Sequence, residues 1–118
     1  MKVLFVDDEA DIRELVEIAV IVEDDIDAHF ASSGQEAIDR IVSERFDIVV
    51  LDVMMPPPDG LEVLRMASEK AALDDATVVM CTAKTSVEAE REFRELGAHH
   101  VLHKPFKPLK LAGYLRSL

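Results

Sequence analysis

A doubly wound α/β fold, with a parallel sheet covered by helices on both faces, is what this 118-residue sequence predicts. Three observations point to it. Short apolar runs alternate five times with segments of helical periodicity, and such alternation implies a parallel sheet with helices on its two sides. The run that begins at Phe46 is near-continuous in apolar, largely β-branched residues up to Asp52, the pattern of a strand buried on both faces. Polar side chains able to do chemistry stand at the C-terminal ends of these runs, where open parallel sheets bind their ligands.

The elements follow in order. Lys2 to Val6 reads as a short strand that ends at Asp7, Asp8 and Glu9. Ile12, Leu15, Val16, Ala19 and Val20 then recur at helical spacing, with Arg13, Glu14 and Glu17 between them, so the first helix is expected to turn those apolar residues inward. Glu23-Asp24-Asp25 closes it in a solvated loop. Asp27 to Ser32 is a second strand, and Ser33-Gly34-Gln35-Glu36 is a capping box that starts a second helix, with Ala37, Ile38, Ile41 and Val42 inward. The third strand ends at Asp52 and runs into a turn containing Pro56, Pro57 and Pro58. Asp59-Gly60-Leu61-Glu62 resembles a cap for a third helix through Leu64, Ala67 and Ala71. Thr77 to Thr82 is the fourth strand. Thr85-Ser86-Val87-Glu88 reads as another capping box, for a helix with a charged, solvated face and with Gly97 at its C-terminal cap. His100 to Leu102 is a short fifth strand, followed by His103-Lys104-Pro105-Phe106, and Leu109, Ala112 and Leu115 mark the last helix.

Composition narrows the function. The length suits one domain over residues 1–118. No apolar run approaches a membrane span, and no segment reads as a signal peptide. The single cysteine, Cys81, excludes an internal disulfide and fits a reducing cytoplasm. A net charge of −11 argues against direct binding to nucleic acid or to an anionic membrane. A chain of this charge needs a cation to handle a phosphate.

The strand ends supply a set of groups with one shared use. They carry Asp7 and Asp8, then Asp52, then Thr82, then Lys104. In a doubly wound sheet the first, third, fourth and fifth strands can be neighbours, which brings these side chains to one edge. Three clustered carboxylates repel one another and make a hard oxygen site suited to Mg²⁺. Beside a metal, Asp52 can act as a nucleophile toward a phosphoryl group. Lys104 is a point charge for phosphate oxygens, and Thr82 can donate a hydrogen bond to the new phosphoryl group. Taken singly, each residue is an ordinary strand-end or turn residue.

Together they make the chain resemble the receiver domain of two-component response regulators. The resemblance runs over the whole sequence and rests on Val6-Asp7-Asp8-Glu9, Leu51-Asp52-Val53-Met54-Met55-Pro56 with Asp59-Gly60, Thr82-Ala83, Gly97-Ala98 and Lys104-Pro105-Phe106. It implies a flavodoxin-like strand order 2-1-3-4-5. It also implies that Asp52 is the phosphoacceptor, and that Asp7, Asp8, Asp52 and the Met54 backbone carbonyl hold Mg²⁺. Thr82 is implied as the switch hydroxyl and Lys104 as the phosphate-binding lysine. The implied donor is a phosphohistidine on a histidine kinase or histidine phosphotransfer protein, in the cytoplasm. The implied partner or homodimer face is the fourth helix, fifth strand and fifth helix. The domain is expected to catalyse only its own phosphorylation and dephosphorylation. Two departures stand out. The switch position that usually holds Tyr or Phe is Val101, with His103 on the same strand face, and two extra prolines follow Pro56, which implies a stiffer loop. Lys84 and Met54 flank the site and are expected to tune hydrolysis.

Other readings fit less well. A haloacid-dehalogenase-like phosphatase needs a second Asp where Met54 stands, and a flavin mononucleotide carrier needs a phosphate loop where Asp7-Asp8-Glu9 stands. A zinc site from His99, His100 and His103 conflicts with strand alternation. A receiver-like interaction module that is never phosphorylated is the remaining rival.

Overall fold

The computed structural model describes residues 1–83 and 86–118. Five strands, β1 (Lys2–Val6), β2 (Asp27–Ala31), β3 (Ile48–Asp52), β4 (Thr77–Thr82) and β5 (His100–His103), alternate with five helices. The helices are α1 (Ala10–Val20), α2 (Gly34–Ser43), α3 (Gly60–Glu69), α4 (Val87–Glu95) and α5 (Pro108–Arg116). The strands form one parallel sheet in the order β2-β1-β3-β4-β5, as the sequence implies.

Successive strand side chains point to opposite faces, and this divides the core in two. Leu4, Val6, Val49, Leu51, Val78 and Met80 pack under α2, α3 and α4 with Ile38, Leu64 and Phe93. Val3, Phe5, Ile48, Val50, Val79 and Cys81 pack under α1 and α5 with Val16, Val20, Leu111 and Leu115. Every residue of β3 is buried, which explains why its sequence lacks the alternation of a one-sided strand. The same alternation aims the site. Asp7 extends the row of Val3 and Phe5, and Asp52 the row of Ile48 and Val50, whereas Thr82 extends the row of Val78 and Met80.

Helix starts and stops follow local chemistry. At α3 the capping box is complete: Asp59 Oδ1 accepts from Glu62 N at 2.9 Å, and Glu62 Oε1 accepts from Asp59 N at 3.3 Å. At α2 it is half formed. Ser33 Oγ accepts from Glu36 N, but the Glu36 carboxylate takes the N–H and hydroxyl of Ser32 instead. The cap of α4 is Ser86, whose hydroxyl accepts from Ala89 N; Thr85, the cap expected from the sequence, lies outside the described residues. Gly97, at φ 108°, ends α4 with its N–H on Arg94 O and the next N–H, of Ala98, on Phe93 O, a Schellman motif.

Four expectations of burial or extent need correction. Leu15 is 50% exposed, because it faces a groove between α1 and the Pro105-Phe106 turn rather than the core. Val42 is 50% exposed at the end of α2, one position off the stripe formed by Ala37, Ile38 and Ile41. Leu109 is 90% exposed, and Leu111 takes the place expected for it beside Ala112 and Leu115. Ala71 lies beyond α3, at φ 54°, with its N–H on Ser68 O and the Ala72 N–H on Ala67 O. The helix therefore stops with a non-glycine residue in the left-handed region.

Candidate functional site

The β1, β3 and β5 ends meet at one edge of the sheet, and Asp7, Asp8, Asp52 and Lys104 meet there with them. One oxygen from each of the three carboxylates lies within 4.8 Å of the others. Asp52 is 2% exposed and Asp7 7% exposed, whereas Asp8 faces solvent. Lys104 Nζ sits between the buried pair, 3.1 Å from Asp7 Oδ2 and 3.1 Å from Asp52 Oδ1. The Lys104 N–H donates to Thr82 O at 2.9 Å, which ties the lysine to the end of β4.

Asp7 is held on every side. Its N–H donates to Ala31 O, and its carbonyl accepts from Arg13 Nη1 at 2.8 Å. Its Oδ1 accepts from Glu9 N at 2.9 Å, a local turn at the start of α1. Asp52 Oδ1 also accepts from Met54 N at 3.3 Å. Asp52 Oδ2 is buried and has no hydrogen-bond partner among the described residues. A bare buried carboxylate oxygen is costly. Here it belongs to a cluster of three carboxylates with one ammonium between the two buried members.

The protonation tendencies follow from this arrangement. Burial raises the Asp52 pKa above the ordinary carboxylate value and repulsion from Asp7 adds to it, with Lys104 pulling the other way. Burial alone would lower Lys104, but its contacts with Asp7 and Asp52 outweigh that and hold the ammonium more firmly charged. The Cys81 thiol beneath the site is pushed up to about 12 by burial, which makes it inert packing.

An all-oxygen donor set with an unpartnered buried oxygen suits a hard divalent cation. It is also the one trio of metal-binding side chains within reach of each other among the described residues. The histidine alternative is not assembled there: His99 Nδ1 accepts the Val78 N–H at 3.0 Å, and His103 Nε2 points to Glu90 Oε1 at 3.7 Å on α4.

The close approach of α3 has no signal in the sequence beyond the Asp59-Gly60 cap. Gly60 N donates to Val53 O, and a Cβ on Gly60 would meet the Asp52 carbonyl oxygen and, at 2.8 Å, the Val53 Cα. The Asp-Gly of the α3 cap is therefore a spacing device behind Asp52. Pro58 packs in the same manner on Gly34 at the start of α2, so the proline-rich turn is braced against a helix end. Thr82 is buried at the end of β4. Val101 packs partly buried on the α4 side, and His103 pairs with Thr82 in the β4–β5 register. Met54 is 58% exposed beside the site; Lys84 lies outside the described residues.

With this geometry in place, likeness to known proteins can be set beside it. The family model for the response regulator receiver domain matches residues 3–116. The chain is 37% identical over 118 residues to the response regulator MprA of Mycolicibacterium vanbaalenii, covering all of this chain and 50% of that protein. It is 36% identical to MprA of Mycobacterium tuberculosis with the same coverage, so the chain spans half the length of these relatives. Among solved structures, the chemotaxis response regulator CheY4 of Vibrio cholerae superposes with a TM-score of 0.88 at 32% identity, covering 98% of this chain and 96% of that one. DrrB, an OmpR/PhoB homologue of Thermotoga maritima, superposes with a TM-score of 0.80 at 28% identity, covering 98% of this chain and 50% of that one.

Proposed function

The chain belongs to the response regulator receiver domain family, and from that premise we propose that Asp52 accepts a phosphoryl group from a phosphohistidine. The observation that carries this reading is the buried Asp52 with one unpartnered oxygen, 3.1 Å from Lys104 and beside the Asp7–Asp8 pair. The donor is a histidine kinase or histidine phosphotransfer protein, and residues 1–118 act as one receiver unit.

In the reaction, a carboxylate oxygen of Asp52 forms a bond to phosphorus while the P–N bond of the donor breaks, and the leaving imidazole nitrogen keeps the electron pair. Asp7, Asp8 and Asp52, with the Met54 carbonyl, would hold Mg²⁺, which supplies charge neutralisation between the carboxylates and the phosphoryl oxygens. Lys104 transfers its contact from the Asp52 carboxylate to the phosphoryl oxygens. Thr82 donates its hydroxyl to the phosphorylated Asp52 and carries the change toward α4. Val101 leaves that movement without an aromatic reporter. The only chemistry proposed is the domain's own phosphorylation and dephosphorylation, and partners or a second copy engage α4, β5 and α5. Among the described residues no helix is long and apolar enough to cross a membrane, and a cytoplasmic setting fits a kinase donor. The unphosphorylated docking module finds no support in the intact set of site residues.

Intact mass after incubation with acetyl phosphate and Mg²⁺ tests the reading. One added phosphoryl group is expected on the parent, absent in Asp52→Ala and blocked by chelator. No adduct, with acetyl phosphate or with a phosphorylated histidine phosphotransfer domain, would overturn it.

A further inference from the structure

We propose that Arg13 is a positioning residue for the acidic pair: its guanidinium sets the plane of the peptide that joins Asp7 to Asp8. The proposal rests on the Mg²⁺-dependent reading above and extends it to a residue outside the carboxylate cluster. Arg13 Nη1 donates to the Asp7 carbonyl at 2.8 Å in a partly buried contact. That carbonyl belongs to the peptide linking the two acids, so one bond to it turns both carboxylates together. The other groups of Asp7 are committed elsewhere: its N–H to Ala31 O, Oδ1 to Glu9 N and Oδ2 to Lys104 Nζ. Asp8 is exposed. The α1 N-cap, Glu9, makes no side-chain capping bond. From within the helix, Arg13 instead donates back to the loop that carries the acids. A guanidinium suits this task because its planar fork keeps a donor aimed at a fixed carbonyl with little freedom to lose.

A role through charge alone predicts the opposite sign. A fixed cation near the site repels Mg²⁺, so neutralising it would tighten metal binding. A role through orientation predicts weaker binding on removal.

The test compares the parent with Arg13→Gln and Arg13→Lys. Mg²⁺ is titrated by melting temperature and by amide chemical shifts of the site loops, and acetyl phosphate turnover is followed against Mg²⁺ concentration. Half-saturating Mg²⁺ is expected to rise about tenfold in Arg13→Gln, the scale seen when groups that orient metal ligands are removed. Arg13→Lys is expected to fall between the two, since an ammonium can still reach the carbonyl. The Mg²⁺ concentration for half-maximal phosphorylation should rise more than the maximal rate falls. Unchanged or tighter Mg²⁺ binding in Arg13→Gln, with only a lower metal-free melting temperature, would overturn the assignment and leave Arg13 a purely structural residue. If Arg13→Gln does not fold, Arg13→Lys carries the same readout. A parent with no Mg²⁺ response would instead overturn the receiver chemistry itself, and this assignment with it.

Discussion

The two ends of the sheet treat carboxylates in opposite ways. At the N-terminal strand ends, Glu44 accepts from Arg40 Nε at 2.8 Å and from Lys2 Nζ at 3.1 Å, and Arg116 binds both Asp25 and Glu23. The Arg40 hydrogen bond holds Glu44 down at about 2, and the Arg116 hydrogen bond does the same for Asp25. At the C-terminal ends, Asp52 is pushed up by burial and by Asp7, and one of its oxygens goes unpartnered. The residue types are the same. The difference lies in desolvation and in the ratio of cations to carboxylates. Matched charges nearer the surface serve the fold, while a buried, under-matched cluster stores a demand that a cation can meet.

The largest expected effect comes from the glycines at the two ends. Gly60→Ala drives a Cβ into the backbone behind Asp52 and is expected to destabilise by about 3 kcal/mol, the upper range for overpacking. Gly113, toward the C-terminal end of α5, has nothing within 4 Å of a built Cβ, so Gly113→Ala is expected to gain about 0.5–1 kcal/mol from helix propensity. Denaturant unfolding of both variants checks this. Similar effects at the two sites would break the contrast between a backbone packed against Asp52 and one left open.

Next in size is the charge test. Asp52→Asn removes an ill-matched buried charge and is expected to raise metal-free stability at neutral pH by about 1–2 kcal/mol, the scale of one unsatisfied buried group. Because the folded-state pKa of Asp52 is raised, the cost of its charge is absent in acid and grows as pH rises through that raised value. The advantage of Asp52→Asn should grow with it. Glu44→Gln should do the reverse. Its parent interaction is fully present above the ordinary carboxylate range and is lost as pH falls toward about 2. Mg²⁺ sharpens the comparison. At a hundredfold excess over its dissociation constant it should add about 2.7 kcal/mol to the parent, with a smaller gain for Asp52→Asn. Melting curves from pH 2 to pH 8, with and without Mg²⁺, read all of this. Destabilisation by Asp52→Asn at neutral pH in the absence of metal would contradict the account of the cluster.

The smallest effect concerns a helix end far from the site. Ala71, at φ 54°, occupies a conformation that costs a non-glycine residue about 1 kcal/mol or more. Ala71→Gly is expected to gain about 0.5 kcal/mol after the extra entropy of glycine is counted, without changing the Mg²⁺ response. A shift in metal affinity would show that the two ends are coupled after all.

Much of this is legible in the sequence. Strands were readable because burial on both faces leaves an unbroken apolar run, as in Ile48 to Leu51, and helix starts because caps such as Asp59 and Glu62 are local. Leu15, Val42 and Leu109 were misplaced because an apolar stripe shows a helix to be amphipathic without showing how wide its covered face is. That width depends on the neighbouring helix. The α4 cap expected at Thr85, and Lys84 beside it, fall outside the described residues.

Element order and the chemistry at each strand end are written in the chain locally, because alternation, periodicity and capping act over a few residues. Packing of the whole sheet places Lys104 between Asp7 and Asp52, Gly60 against the Asp52 backbone, and Arg13 on the peptide between the two acids. Lys104 and Asp7 are 97 residues apart in the chain. Their 3.1 Å contact exists because the parallel register stacks strand ends at one edge, and short-range pattern carries no distance across that edge.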